Sequence, residues 1–396
     1  MSFNKADSTR IFGLDILRAA AILFVLLSHS FPYAPQAFVT ALSPYNLNGV
    51  SMFFVLSGFL IGGILIRALE RDGATMATLL HFWIRRWFRT LPNYFLILLL
   101  LSVLCYHVYD RNFLTTEYVL FLQNFNKPSP PFFSEAWSLC VEEWFYFLVP
   151  LTLFFLVGNL RMSVRNALLL VAVTLIAAST LARYDTYAAG WIQTGKDWDS
   201  LIRKELISRL DSLMFGLLGA WVLHYHPRVW KKYKTPLFIV GLVILALEHK
   251  IMALSGLGLY LCVFSLSAVS IGVLFLLPFL SDLKGGNGRV YRTITFISAI
   301  SYSLYLVNYS LFNLIAILLK RGLKLPPTDK SLFLFFAFWI AAFGLASVLH
   351  FFYEMPMMRL RERFPLRAKS PPTRPSPPPR TRPHSPTDAP HGPGIP

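Results

Sequence analysis

Long apolar blocks alternate along this chain with short segments of Arg, Lys, Pro and other polar residues. A helix needs about 20 predominantly apolar residues to cross the hydrocarbon core of a bilayer. Ten blocks approach that length, at roughly 12–31, 49–69, 91–108, 141–158, 166–183, 207–224, 235–250, 254–280, 294–318 and 331–353. Lipid offers no partner to an unpaired backbone group, so each block is predicted to be helical. The pattern implies an all-α, polytopic membrane protein with about ten transmembrane helices. The fourth and seventh blocks are short or polar at one end.

Composition agrees. Only 14% of residues are charged and 55% are hydrophobic, whereas soluble domains carry about 25% charge. A chain of 396 residues has no room for a soluble core that would hide so many apolar runs. The net charge of +17 would suggest nucleic acid in a soluble protein. Here the basic residues sit in the short connections, where membrane orientation requires them, and no nucleic-acid partner is expected. With Lys5 and Arg10 cytoplasmic, the even-numbered connections carry Arg71, Arg85, Arg86 and Arg89, then Arg161 and Arg165, then Arg228, Lys231, Lys232 and Lys234, then Lys284, Arg289 and Arg292. The first outer connection, 32–48, has no Lys or Arg, although later outer connections hold Lys196, Arg203, Lys320 and Arg321. The bias places both termini in the cytoplasm. The first block carries Asp15 and Arg18 and is followed by further spans, unlike a cleavable signal peptide. Cys105, Cys140 and Cys262 show no metal-binding spacing and read as buried apolar residues. Three regions are predicted: a cytoplasmic N-terminus at 1–11, a transmembrane domain at 12–358, and a basic, Pro-rich, disordered cytoplasmic tail at 359–396.

Ionisable residues inside apolar blocks are costly and usually mark function. In the first block Arg18 and His29 stand almost three helical turns apart, on one face and about 16 Å from each other. Asp15 is close enough in sequence to pair with Arg18. A neutral imidazole can take a proton from a hydroxyl at physiological pH; the alternative is an interfacial His beside Ser28 and Ser30. Arg85, Arg86 and Arg89 are interleaved with Trp83, Trp87 and Phe88. They read either as a positive-inside anchor or as guanidinium forks for phosphates, with Arg85 and Arg89 one turn apart. Glu142 and Glu143 open the fourth block, with Ser138, Glu142 and Tyr146 on one face. Such a carboxylate can orient His29, bind acceptor hydroxyls, or simply face the helix dipole. Arg209 and Asp211 read as a structural pair, and Asn308 as an interhelical hydrogen bonder or an acceptor contact.

Taken together, GLDILRAAAILFVLLSHS, GVSMFFVLSGFLIGGIL, FWIRRWFRTLP, AWSLCVEEWFYFLVP, RLDSLMFGLLGAW, ISYSLYLVNYSLF and YEMPMMR resemble, in order, the signatures of acyltransferase family 3. These are bacterial membrane enzymes that acylate polysaccharides, O-antigens, Nod factors and some antibiotics. The resemblance runs from about Ile11 to Arg359. It implies an O-acyltransferase of the bacterial cytoplasmic membrane. The donor would be acyl-CoA, in the simplest case acetyl-CoA, used as a co-substrate with no bound cofactor or metal. The acceptor would be a hydroxyl of an envelope carbohydrate or a glycosylated molecule. By the same resemblance His29 is catalytic, with Glu142 supporting it or the acceptor. Arg18, Arg85, Arg86 and Arg89 face the donor's phosphates, and Asp15, Ser138, Glu143, Tyr146 and Asn308 support the site or the acceptor. Trp144 stands where the family usually has Gln, and Asn308 where many members have His. Some members add a soluble hydrolase-like domain, where this chain has the Pro-rich segment. Two rival readings are a glycan or lipid transporter, and a membrane scaffold acting through its tail.

Overall fold

A computed structural model describes residues 10–125, 127–322 and 332–360. The predicted tail beyond Leu360 and most of the predicted N-terminal region lie outside them. The main helices are α1 (Phe12–Ser30), α2 (Gly49–Asp72), α3 (Met76–Tyr109), α4 (Ala136–Phe154), α5 (Val164–Ala188), α6 (Leu210–Tyr225), α7 (Lys234–Ser255), α8 (Ser265–Leu280), α9 (Gly288–Val307), α10 (Ser310–Gly322), α11 (Leu332–Leu349) and α12 (Met355–Leu360). No strand occurs among the described residues. Nine of the helical segments among them are long and apolar enough to span a bilayer, and up to ten if a bent pair counts as one span. That pair joins Gly195–Arg203 to Ile207–Tyr225 at an angle of 86°.

Local chemistry sets several helix starts. Asn48 accepts from the Ser51 amide ahead of α2, at 3.1 Å. Thr75 and Ser163 cap α3 and α5 in the same way. With no break after Thr75, α3 is much longer than the apolar block at 91–108. The segment holding Arg85, Arg86 and Arg89 is therefore the first half of a span, not part of a connection. Pro92 lies inside this helix, as membrane helices tolerate.

The predicted ninth span, 294–318, is two helices. Asn308 ends α9 by donating its side-chain amide to the carbonyls of Leu304 and Tyr305, at 2.8 and 2.9 Å. The hydroxyl and amide of Ser310 then bind the Glu135 carboxylate, at 2.5 and 3.1 Å. The predicted eighth span likewise starts late, because α7 runs on to Ser255 and Gly256 turns with φ +55°.

Helices α2 and α6 pack closely. A Cβ on Gly216 would stand 2.0 Å from the Val55 carbonyl oxygen, and one on Gly58 would stand 1.9 Å from that of Leu213. Both contacts are with backbone, which cannot swing aside, so the small residues set the approach of these helices. Gly216→Ala is expected to separate them and destabilise the protein by about 1–3 kcal/mol. A fall in detergent melting temperature would show this, and an unchanged value would contradict the packing account.

Beside this contact the fully buried Arg183 and Asp211 pair at 2.8 Å, joined by Ser267. Arg209, also fully buried, donates to the Ser51 hydroxyl at 2.7 Å and lies over the Phe54 ring. The sequence reading of a structural Arg209–Asp211 pair thus needs correction, because the partner of Asp211 is Arg183. On the periphery Phe333, Phe336 and Ile340 of α11 are 77%, 56% and 75% exposed. Three large apolar side chains at helical spacing on one face are stable against lipid.

Candidate active site

Helices α1, α2, α3, α4 and α9 enclose a cavity of about 100 Å³. Arg18 enters it from α1, Ser57 from α2, and Arg86, Arg89 and Thr90 from α3. Ser138, Glu142 and Tyr146 come from α4, and Tyr302 and Tyr305 from α9. The Arg86 guanidinium lies 5.3 Å from the centre of the Tyr146 ring. Among the described residues, none of Arg18, Arg86 and Arg89 forms a side-chain ion pair with a carboxylate. Their charge is therefore available to an incoming anion. Glu142 is occupied by the hydroxyls of Ser57 and Tyr146, at 2.8 and 3.1 Å. Glu143 accepts from Thr90 at 2.6 Å.

A larger cavity, about 460 Å³, opens at the other end of α1. His29 and Ser28 line it, with Asn46–Val50 ahead of and within α2, and Glu135 and Trp137 at the start of α4. Arg203, Lys204, Glu248, Tyr305 and Tyr309 complete the polar and aromatic wall. His29 Nδ1 is hydrogen-bonded to Asn308 Oδ1. Both amide hydrogens of Asn308 go to backbone carbonyls, so its oxygen is the atom turned to the ring. An amide oxygen only accepts, so Nδ1 carries the proton and the lone pair lies on Nε2. The ring also packs on Tyr309, 4.6 Å between centroids. Burial pushes the Glu135 carboxyl up to about 7, and its hydrogen bonds from Ser310 pull the other way. Arg203 and Lys204 share Asp199, and the Arg203 guanidinium lies over Trp137.

Val50 and Tyr305 line both cavities. The cation chamber and the His29 chamber thus stand back to back, with α1 supplying Arg18 to one and His29 to the other. In the dividing wall the Tyr305 hydroxyl meets the Ser138 hydroxyl at 2.5 Å and the Glu135 carbonyl at 3.1 Å.

Four sequence expectations change. Asp15 pairs with Arg10, not Arg18, and accepts from Ser298 at 2.6 Å. Arg85 is exposed and lines neither cavity, so Arg86 is the α3 residue that joins Arg89. Geometry explains this: a helical step of about 100° carries position 85 to a different face from 86. Glu142 lines the cation chamber, and the side chain that orients His29 is the neutral Asn308. Glu143 is held against α3 by Thr90 and does not line either cavity. Sequence reasoning overlooked Glu135, Glu248 and Arg183. For the last two a signal was present, since each is a charged residue inside an apolar block.

A family model described as an acyltransferase domain matches residues 11–353. The putative peptidoglycan O-acetyltransferase YrhL of Bacillus subtilis is 32% identical over 48% of this chain and 30% of its own length. The peptidoglycan O-acetyltransferase OatA of Listeria monocytogenes is 28% identical over 35% of this chain and 23% of its own. A putative O-acetyltransferase of Staphylococcus aureus is 24% identical over 79% of this chain and 52% of its own. The chain thus spans about half the length of these relatives or less. No solved structure matches it. With the family model spanning nearly all of the helical bundle, this chain belongs to the acyltransferase domain family, acyltransferase family 3.

Proposed function

We propose that this protein is an O-acyltransferase of the bacterial cytoplasmic membrane that moves an acyl group from acyl-CoA to a hydroxyl of an envelope carbohydrate. The observation that carries this reading is the pair of back-to-back chambers, one lined by Arg18, Arg86 and Arg89, the other by His29. The names of the relatives favour acetyl as the acyl group and peptidoglycan as the carbohydrate.

The three guanidiniums hold the phosphates of the donor, in forked contacts suited to phosphate oxygens. The pantetheine arm carries the thioester to the wall at Val50 and Tyr305. His29 Nε2 takes the proton of the acceptor hydroxyl as its oxygen attacks the thioester carbon. The new C–O bond forms and the C–S bond breaks. The thiolate leaves with the proton held by His29, giving free CoA and an ester. The arginine chamber faces the cytoplasm, where acyl-CoA is made, and the His29 chamber faces outward.

Asn308 acts by fixing the ring and its tautomer. Asn308→Ala is expected to lower kcat by about tenfold to a hundredfold with little change in the KM of the donor. A donor KM that rises as much as kcat falls would argue against this role. The reading as a whole is tested in sealed vesicles with labelled acetyl-CoA at one face and soluble peptidoglycan fragments at the other. Label on the fragments supports it. Passage of fragments across the membrane with the thioester intact would support a transporter instead.

A further inference from the structure

Glu248 belongs to α7, on the far side of the His29 chamber. It is 4% exposed at the end of the apolar run Pro236–Leu247, and it lines the chamber. One carboxylate oxygen, Oε2, accepts from the Tyr260 hydroxyl. The other, Oε1, is buried and has no hydrogen-bond partner among the described residues. Asn46, in the connection before α2, lines the same chamber, and its Oδ1 is also buried without a partner among the described residues.

Buried acceptors without a donor are rare in folded proteins, and each calls for an explanation. Two of them belong to residues in the lining of one chamber, with His29, and bear on what the chamber takes. A matching ligand must bring hydrogen-bond donors. A phosphate dianion brings none, and neither does a fatty chain. A sugar ring brings several hydroxyl hydrogens, and its apolar face suits an aromatic surface such as the half-buried Tyr309 in the same lining. The volume of about 460 Å³ lies within the range of about 300–1,000 Å³ typical of small-molecule sites.

Building on the transferase reading, we infer that Glu248 and Asn46 are the residues that select the acceptor, each taking a hydroxyl hydrogen of a sugar held beside His29. The ligand class is a polyhydroxylated ring rather than a simple alcohol or an anion. Tyr260 braces Glu248 so that Oε1 is the oxygen left for the sugar. Glu248 is a specificity residue, and the proton transfer belongs to His29.

Three uncharged tetrasaccharides serve as probes: the N-acetylglucosamine tetramer, cellotetraose and maltotetraose. Their binding to the full-length protein in nanodiscs is followed by calorimetry, a readout independent of turnover. Wild type and His29→Ala are expected to bind at least one of the three. Glu248→Met is expected to bind it at least tenfold more weakly, and Asn46→Ala to weaken it as well. A fully O-methylated form of the same sugar, which has no hydroxyl hydrogens, should not compete. Tyr260→Phe removes the brace but keeps the carboxylate, and should bind within about threefold of wild type.

The inference is overturned if wild type binds none of the three sugars, or if Glu248→Met binds as tightly as wild type. It is also overturned if Tyr260→Phe loses as much affinity as Glu248→Met, which would make the pair structural. A sugar that binds through Glu248 while no thioester is ever consumed would refute the transferase reading and leave this site standing. Sugar-dependent thioester consumption with unchanged affinity in Glu248→Met would refute this site alone.

Discussion

His29→Ala is expected to lower acyl transfer by about 10²- to 10⁴-fold, the range for removing a positioned general base. The loss should fall on kcat. In the proposed function the donor's phosphates are held in the other chamber, by Arg18, Arg86 and Arg89, so the KM for acyl-CoA should stay within about twofold. The ring is fixed on two sides, by the Asn308 hydrogen bond and the Tyr309 ring, and nothing else in the lining presents an imidazole. His29→Gln keeps much of the shape but cannot take up the proton, and should be as inactive as the alanine variant. Steady-state rates of thiol release with saturating acceptor measure this. Full activity in His29→Ala would remove the base from the mechanism, and an equal change in donor KM would place His29 at the donor instead.

The second large effect separates three neighbouring arginines. Arg86→Gln and Arg89→Gln are each expected to raise the KM for acyl-CoA about tenfold to a hundredfold. That range corresponds to losing a charged hydrogen bond of about 1.5–3 kcal/mol. Arg85→Gln should leave it within about twofold, because Arg85 is exposed and lies off the cavity wall. Total positive charge changes equally in all three variants, so a general effect of membrane electrostatics would make them alike. Equal KM values across the three would show that the cluster is an anchor at the membrane surface, the alternative that spacing alone leaves open.

Most of the fold was legible because lipid imposes a simple rule: long apolar blocks must be helices. What the rule misses is where a helix starts and stops. The segment 76–90 looked like a connection because of its arginines, yet Thr75 caps a helix that runs through them. The block 294–318 looked continuous because Asn308 and Ser310 are small interruptions. Their side chains break the helix through partners, Glu135 among them, that are distant in sequence. The site was legible in part for the same reasons. His29 and Arg18 could be placed on one helix face by counting residues. Which of Arg85 and Arg86 turns inward depends on how α3 packs on α4 and α9, and counting along one helix does not fix that rotation. The partner of His29 was also out of reach, since Asn308 is 279 residues away and only folding brings α9 against α1.

In the proposed function, thioester chemistry takes place between the two chambers. It is tested most directly with purified wild-type protein, acetyl-CoA and a panel of peptidoglycan fragments, following free thiol and identifying the product by mass spectrometry. Thiol release that depends on the acceptor is expected, with one acetyl ester formed on a sugar hydroxyl for each thiol released. Intact acetyl-CoA with every acceptor, or thiol release with no acetylated sugar, would contradict it.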